Sequence, residues 1–350
     1  MADGAIRVGI VGAGGIVRSR NLPGLRGMPE VEVVSVVNRS RESSERAAAE
    51  MEIPTVYDTW TDLVESSDTN AICIGTWPYM HCAITLAALE ADKHVLTEGR
   101  MAMNAEEARI MLDAARSKPH LVTQIVPGPP TFAVDNLLIE MINSGYLGDV
   151  LSVDIRALPI GRQPHQAFSN PDAPFHWRMD ADVSGYNALS VGIEYESMMR
   201  WLGPAIKVMA NTRTFTTQRR DEAGNLRSVR LPELVDILAD LACGAQMHMN
   251  VSSVSGMGPQ HEIWLFGSEG TIHCEGANVY AGKHGDTELK EVPNPEEKRY
   301  TWRAEEEFVN AIRGLEKVTR TSFEDGVQYM EFSEAVARSA QTGEAVYLPL

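Results

Sequence analysis

Apolar residues in the first third of the chain come in short unbroken runs, with segments of helical spacing between them. Residues 8–11, 31–37 (VEVVSVV), 53–57, 71–75 (AICIG), 94–97 (HVLT) and 121–126 (LVTQIV) read as buried strands. Between them a helix opening at Ile16 and the stretches 42–51, 58–66, 80–91 and 105–117 have helix-forming pattern or composition, the third capped at Asp58. Strands alternating with helices in this way predict a doubly wound parallel sheet.

The pattern changes at Pro127-Gly128-Pro129-Pro130, a strong punctuation that sets domain boundaries of 1–126 and 127–350. Beyond it come a helix over 135–144, a strand over 148–157, a Pro-rich loop over 159–174 leading into His176-Trp177-Arg178, and a helix over 190–202. Alternating strands follow at 206–214, 234–241, 245–251, 262–267, 270–274 and 278–281, some joined by turns short enough for hairpins. Helices over 303–314 and 323–342 and a strand over 346–348 end the chain. The fold class is therefore α/β: an N-terminal Rossmann-type parallel sheet, then an α+β domain with a large, open, mostly antiparallel sheet. Sheets with one open face often pair through it, so a homodimer or homotetramer is expected.

Composition narrows the partners. With 350 residues, 44% hydrophobic and 23% charged, the chain has the make-up of a soluble two-domain protein. Lys and Arg number 31 against 48 Asp and Glu, and the net charge of −17 repels nucleic acid and anionic membranes alike. The chain runs from MADG straight into its first strand, without an apolar leader or a long apolar span, and a cytoplasmic location is expected. Cys73, Cys82, Cys243 and Cys274 form no C-x-x-C pair and read as small buried hydrophobes; no histidine grouping points to a metal.

The chemistry begins at residues 7–25, RVGIVGAGGIVRSRNLPGL. Gly12, Gly14 and Gly15 let the backbone turn and approach a ligand, and Ile16 opens a helix whose amides can hold a pyrophosphate; the implied ligand is a dinucleotide. The third small residue of the G-x-G-x-x-G/A pattern is Val17, which is expected to hold helix and strand slightly further apart. The second strand ends at Asn38-Arg39, about where such a unit places its ribose-reading residue.

With that turn, the segment Thr76-Trp77-Pro78-Tyr79-Met80-His81, the segment His94-Val95-Leu96-Thr97-Glu98, and later Arg200-Trp201-Leu202-Gly203 and Phe323-Glu324-Asp325-Gly326, the chain resembles the glucose-fructose oxidoreductase / inositol dehydrogenase / rhizopine-catabolism (Gfo/Idh/MocA) family nearly end to end. The resemblance implies a bound nicotinamide dinucleotide and hydride transfer at a carbon of a polyol, sugar, cyclitol or related small molecule. It implies that Thr76, Trp77, Pro78 and His81 lie near the nicotinamide and that Glu98 contacts its ribose. Trp77 reads equally as core, and His81 as a helix-start histidine satisfied by backbone. At the adenosine end an Asp or Glu would repel a 2′-phosphate. Asn38, Arg39, Ser40 and Arg41 offer donors and positive charge instead, so NADP(H) is expected over NAD(H).

Two departures bear on the reaction. Where the family continues Glu-Lys-Pro, this chain reads Glu98-Gly99-Arg100, with no amine at the usual proton-handling position. In the second-domain helix the usual Asp, His and Asp positions hold Ser190, Glu194 and Ser197, spaced to share one face. Three readings stay open: hydride transfer with Glu194 as base and Arg100 or Tyr195 polarising the substrate oxygen; transient oxidation serving an elimination or glycoside cleavage; or nucleotide and ligand binding without catalysis. His176 and Arg178 are placed to reach a polar substrate, and two arginines in one pocket (Arg100, Arg178) would suit an acidic or keto-bearing sugar derivative. Tyr186 and Asn187 replace a Gly-rich approach and would narrow the pocket, and His165 belongs to a lid or to a solvated loop.

Overall fold

The computed structural model describes residues 4–350. The chain folds as two compact units, one of residues up to Pro127 with Arg303–Val327, the other of Gly128–Trp302 with Gln328–Leu350. The chain therefore leaves the first unit at Pro127 and later returns to it.

In the first unit, β1 (Ile6–Val11) is followed by a π-helical turn (Val17–Asn21) leading into α1 (Leu22–Arg26), then β2 (Val31–Val37), α2 (Arg41–Met51), β3 (Thr55–Val56), α3 (Trp60–Glu65), β4 (Ala71–Ile74), α4 (His81–Glu90), β5 (His94–Thr97), α5 (Ala105–Ser117) and β6 (Thr123–Ile125). The strands form one parallel sheet in the order β3-β2-β1-β4-β5-β6. Val8, Ile10, Ile72, Ile74, Val95 and Leu96 are wholly buried, as apolar strands must be when crossover helices cover both faces. The order reverses between β1 and β4, which opens a crevice above their C-terminal ends where the glycine turn lies. The cap of α3 differs from expectation: Thr59 accepts the Asp62 amide, while Asp58 pairs with Arg41 at 2.8 Å. Thr59 sits one residue closer to the helix, and its hydroxyl alone has the Ncap geometry.

The second unit contains α6 (Phe132–Asn143), β7 (Val150–Ala157), α7 (Ala181–Ser184), α8 (Val191–Leu202), β8 (Ala205–Arg213), a small hairpin of β9 (Gln218–Arg220) and β10 (Leu226–Ser228), then β11 (Leu234–Leu241), β12 (Gln246–Ser252), β13 (His261–Gly267), β14 (Gly270–Glu275), β15 (Asn278–Lys283) and β16 (Lys290–Val292). After α9 (Ala304–Ile312), which belongs to the first unit, α10 (Phe323–Thr342) and β17 (Val346–Tyr347) complete the chain. Nine strands form a sheet in the order β16-β15-β14-β13-β7-β12-β11-β8-β17, antiparallel except for β12 beside β7. The β9–β10 hairpin escapes sequence reading because QRR and LRS carry no apolar alternation.

Alternate residues of the large sheet are buried, among them Val153, Ile155, Val235, Ile237, Met247 and Met249. The opposite face carries a row in register across seven strands: Tyr280, His273, Trp264, Asp154, His248, Leu238 and Met209. Leu238 and Met209 are half exposed there. Helices α8 and α10 meet closely because Gly192 has no side chain; a Cβ there would lie 2.8 Å from Ser333 Oγ. Among the described residues no helix is long and apolar enough to cross a membrane. The cysteines are free, and Cys243 is exposed, not buried as expected, because it lies in the short turn between β11 and β12, Ala242-Cys243-Gly244-Ala245.

Candidate functional site

The glycine turn caps β1. Gly12 has φ +90°, its N–H donates to Val37 O at 2.8 Å, and a Cβ on it would lie 2.7 Å from the Thr76 amide nitrogen. Only glycine meets both demands. A Cβ on Gly15 would meet nothing within 4 Å and one on Gly14 only Gly75 O at 3.7 Å, so that face of the turn is open, as is Ile16, 45% exposed. Val17 is fully buried, and the site that receives it is Gly75, where a Cβ would collide with Val17 Cγ2. The departure from the usual third small residue is thus absorbed on the neighbouring strand end, by a side chain that is missing.

The turn forms one wall of a groove of about 790 Å³ in the first unit, with Arg39, Ser40, Thr76 and Trp77 among its lining residues. Asn38 looks inward: its Oδ1 accepts the Ala13 amide at 2.7 Å and its Nδ2 donates to Ser43 O at 3.1 Å, so it pins the glycine turn to α2. The donor role expected of Asn38 toward a ligand is therefore replaced by a structural one. Ser40 caps α2 by accepting the Ser43 amide at 3.3 Å. Arg41 is spent on Glu45 at 2.7 Å and Asp58 at 2.8 Å, both exposed pairs. Arg39 is exposed and, among the described residues, makes no hydrogen bond or ion pair, which leaves its guanidinium to the groove.

At the other end of the groove, Trp77 precedes a 3₁₀ turn (Pro78–Met80) in which Pro78 is buried, and its ring stands 6.5 Å from that of Tyr79. His81 is 1% exposed. Its Nε2 faces Thr76 O at 3.0 Å and its Nδ1 faces Arg100 O at 2.9 Å, so it staples the turn after β4 to the turn after β5. Burial lowers its pKa against those carbonyl hydrogen bonds. The ring is thus satisfied by backbone and lies behind the groove wall. Arg100, 6% exposed, has its side chain buried.

Glu98 follows β5. Burial pushes its pKa up to about 8, opposed by a hydrogen bond from Asn21 and reinforced by the charge of Glu305. Glu98 Oε1 and Thr76 Oγ1 are buried without hydrogen-bond partners. A polyhydroxylated ligand would supply the missing donors, and the open face of Gly14 and Gly15 would admit a pyrophosphate: the residues present fit a nicotinamide dinucleotide.

In the second unit, the helix face expected to carry chemistry is buried. Glu194 is 2% exposed, and its Oε2 lies 2.8 Å from His261 Nε2, at the start of β13. Ser190 Oγ stands 3.5 Å from Glu194 Oε1, while Ser197 donates to Ile193 O and serves its own helix. Tyr195 is core: 1% exposed, it stacks on Phe332 with ring centroids 3.7 Å apart, and its hydroxyl accepts the Ala205 amide at 2.7 Å. Burial raises its pKa further, so the expectation that Tyr195 polarises a substrate oxygen gives way to a packing role. Arg200 and Trp201 likewise belong to a buried network, on Asp135 at 2.8 Å each.

His176 and Arg178 are exposed on a 3₁₀ turn (Trp177–Met179), with the Arg178 guanidinium 4.3 Å over the Trp177 ring. The loop before them is tied down by Arg219, which pairs with Glu233 at 2.8 Å and donates to Ala173 O at 3.1 Å. Tyr186 is 43% exposed, Asn187 is buried against Ser184 O, and His165 is exposed. His261 is the site residue that sequence reasoning missed: it stands 67 positions from Glu194 and belongs to no motif. Its only sequence signal is a histidine opening an apolar strand after a Gly-rich loop.

Comparison with known proteins agrees with this architecture. A family profile described as "Oxidoreductase family, NAD-binding Rossmann fold" matches residues 6–125, and one described as "GFO/IDH/MocA C-terminal domain" matches residues 137–273. The chain is 22% identical to an uncharacterized oxidoreductase of Synechocystis over 80% of its length and 74% of that protein's. It is 26% identical to the dTDP-3,4-didehydro-2,6-dideoxy-alpha-D-glucose 3-reductase of Streptomyces violaceoruber, covering 84% and 80%. Levoglucosan dehydrogenase in complex with NADH and levoglucosan shares the fold, with a TM-score of 0.83 at 20% identity over 99% of this chain and 100% of that one. The chain belongs to the Gfo/Idh/MocA family of oxidoreductases, with its NAD-binding Rossmann fold and its C-terminal domain.

Proposed function

We propose that the protein is an NADP(H)-dependent dehydrogenase or reductase acting at a CH–OH carbon of a sugar, cyclitol or related hydroxy or keto compound. The observation that carries the cofactor choice is Arg39, an exposed cation lining the groove with no partner among the described residues, at a strand end that bears no carboxylate. A guanidinium matches the geometry of a 2′-phosphate, and an acid at that point would repel it. The substrate class is supported by relatives named for a dTDP-sugar and for levoglucosan.

When bound, the nicotinamide supplies the acceptor or donor of hydride. Gly14, Gly15 and the helix they open would hold its pyrophosphate, and Glu98 and Thr76 would accept from or donate to its sugar hydroxyls. Glu194 belongs to the acid/base set. Arg178, exposed in the second unit, would orient an acidic or keto-bearing substrate and take no proton itself. Two copies of the chain would associate through the open face of the large sheet in a cytoplasmic enzyme. Dissociation constants for NADPH and NADH, and absorbance at 340 nm with a panel of polyols and sugars, test the proposal. Tighter NADPH and substrate-dependent absorbance change are expected. Tighter NADH ends the cofactor assignment, and product without net absorbance change moves the reaction to a transient oxidation.

A further inference from the structure

We propose that the second unit carries a binding site of its own for an anionic polyol, a small polyhydroxylated molecule bearing a carboxylate or a phosphate, with Arg156 as the group that holds the anion. The site is a cleft of about 350 Å³ that shares no residue with the dinucleotide groove. The inference goes beyond the oxidoreductase reading and does not depend on it.

The cleft forms where the open face of the large sheet meets the loop between β12 and β13. Neighbouring strands supply its floor: Arg156 near the end of β7 stands in register with Asn250 of β12, and Asn250 with Asp236 of β11. Side chains of a strand return to one face at every second position, so His248 and Ser252 join Asn250 there. The loop wall is tied down. Ser253 N–H donates to Glu233 O at 2.9 Å, Met257 N–H to Pro164 O at 3.0 Å, and Leu158 N–H to Gln260 O at 2.9 Å. A wall fixed in this way need not be ordered by a ligand, which removes part of the cost of binding.

The charges around the cleft are unevenly committed. Arg156 is exposed and makes no hydrogen bond or ion pair among the described residues. A carboxylate stands beside it in register, Glu262 of β13, but its Oε1 accepts Trp264 Nε1–H at 2.9 Å and faces His273 Nε2 at 3.1 Å. The Trp264 and His273 rings stack with centroids 3.9 Å apart, which fixes both contacts on that acid. Asp236 Oδ1 likewise accepts Asn250 Nδ2–H at 2.8 Å and faces His248 Nε2 at 3.5 Å. Neither acid pairs with Arg156 among the described residues. In a chain of net charge −17, a guanidinium left open in a cleft is matched by a carboxylate or phosphate that can take both arms of its fork.

The rest of the wall selects against a bare anion. Asp236 Oδ2 and Asn250 Oδ1 have no hydrogen-bond partner among the described residues, and both are acceptors. Ser252 is 1% exposed and accepts the Ser255 hydroxyl at 2.8 Å and the Val254 amide at 3.2 Å, so its own hydroxyl hydrogen is left to donate. A ligand that fits must bring negative charge to Arg156 and hydroxyl donors to Asp236 and Asn250. A sugar acid or a sugar phosphate does both. The volume lies at the lower end for small-molecule pockets and suits one hexose-sized ring.

Isothermal titration of the full-length protein with D-glucuronate, D-glucose 6-phosphate, inorganic phosphate and D-glucose tests the site. Wild type should bind glucuronate or glucose 6-phosphate about tenfold or more tightly than inorganic phosphate or glucose, and the tighter of the two identifies the anion. Arg156→Gln should lose about tenfold or more of that affinity, and Arg156→Lys, which keeps the charge without the fork, should lose less. Arg178→Gln should leave it within about twofold, as should Arg156→Gln the affinity for NADPH. A loss in Arg178→Gln with none in Arg156→Gln assigns the acid to the turn at Arg178 and overturns this site, leaving the cofactor reading intact. Wild type that binds none of the probes, or binds inorganic phosphate as tightly as the sugar anions, overturns it as well. If instead Arg156→Gln alters sedimentation while wild type binds no probe, the arginine serves contact between copies of the chain and the site is lost. Absent NADPH binding beside intact, Arg156-dependent binding of a sugar anion would count against the cofactor reading alone.

Discussion

The dinucleotide groove and the Glu194–His261 pair stand at opposite ends of a scale of sequence locality. In the groove, Gly12, Ala13 and Gly14 are consecutive, and the partners that complete it, Asn38 and Thr76, stand at the ends of strands adjacent to β1. The pair in the second unit joins the first turn of a helix to the first residue of a strand 67 positions away. Parallel βα units repeat one local rule, and a ligand site at their strand ends inherits it. A mixed sheet brings distant residues together by register, which no local rule encodes.

The largest effect is expected where the local rule is strictest. Gly12→Val would place a β-branched side chain at φ +90° and against the Thr76 amide, and the turn must move. Cofactor affinity should fall by about 100-fold or more, on the order of 3 kcal/mol, as judged by NADPH fluorescence. The ¹⁵N titration of His261 should stay where it is in wild type. A shifted His261 titration in Gly12→Val would break the separation between the two regions.

That contrast sets what was legible in the sequence. The Rossmann unit could be read almost strand by strand, since its buried strands are continuous apolar runs and its turns carry glycine. So could the alternation of the large sheet. Side-chain commitments could not. Asn38 and Arg39 are adjacent and both polar, yet one pins the glycine turn and the other faces the groove. Tyr195 adjoins Glu194 and turns into the core, because neighbours on a helix point about 100° apart and only one of them can face the pair with His261. Gly75 explains Val17 only once β1 and β4 are known to be neighbours.

A smaller effect distinguishes the two raised pKa values, since Glu98 rises chiefly through burial and His261 through a partner. A carboxyl whose folded pKa is about 8 binds a proton that the unfolded chain has lost above its ordinary value of 4.5, so its contribution to stability falls as pH rises between those values. A histidine raised by a partner also contributes below its unfolded pKa and loses that contribution as pH rises through the folded one. Wild type without cofactor should therefore be more stable near pH 5.5 than near pH 8.5. Glu98→Gln should remove the Glu98 share, gaining about 1–3 kcal/mol at pH 8.5 and little at pH 5 in urea unfolding. An equal gain at both pH values would mean that Glu98 is not held neutral by burial.

The smallest expected effect sharpens the comparison inside the groove itself, between two arginines of the same turn. Arg41 is held by Glu45 and Asp58 in exposed, solvent-screened pairs. Arg39 has no such pair among the described residues and lines the groove. If charge alone recruited the 2′-phosphate, removal of either guanidinium would cost the same. If commitment to a carboxylate decides, Arg39→Ala should weaken NADPH about tenfold, some 1.4 kcal/mol, and NADH little. Arg41→Ala should then change neither affinity by more than about twofold, because Asp58 and Glu45 already neutralise it. Isothermal titration of both cofactors into both variants measures this. Equal losses of NADPH in the two would show that the groove reads net charge at the turn, and Arg39 would lose its particular claim.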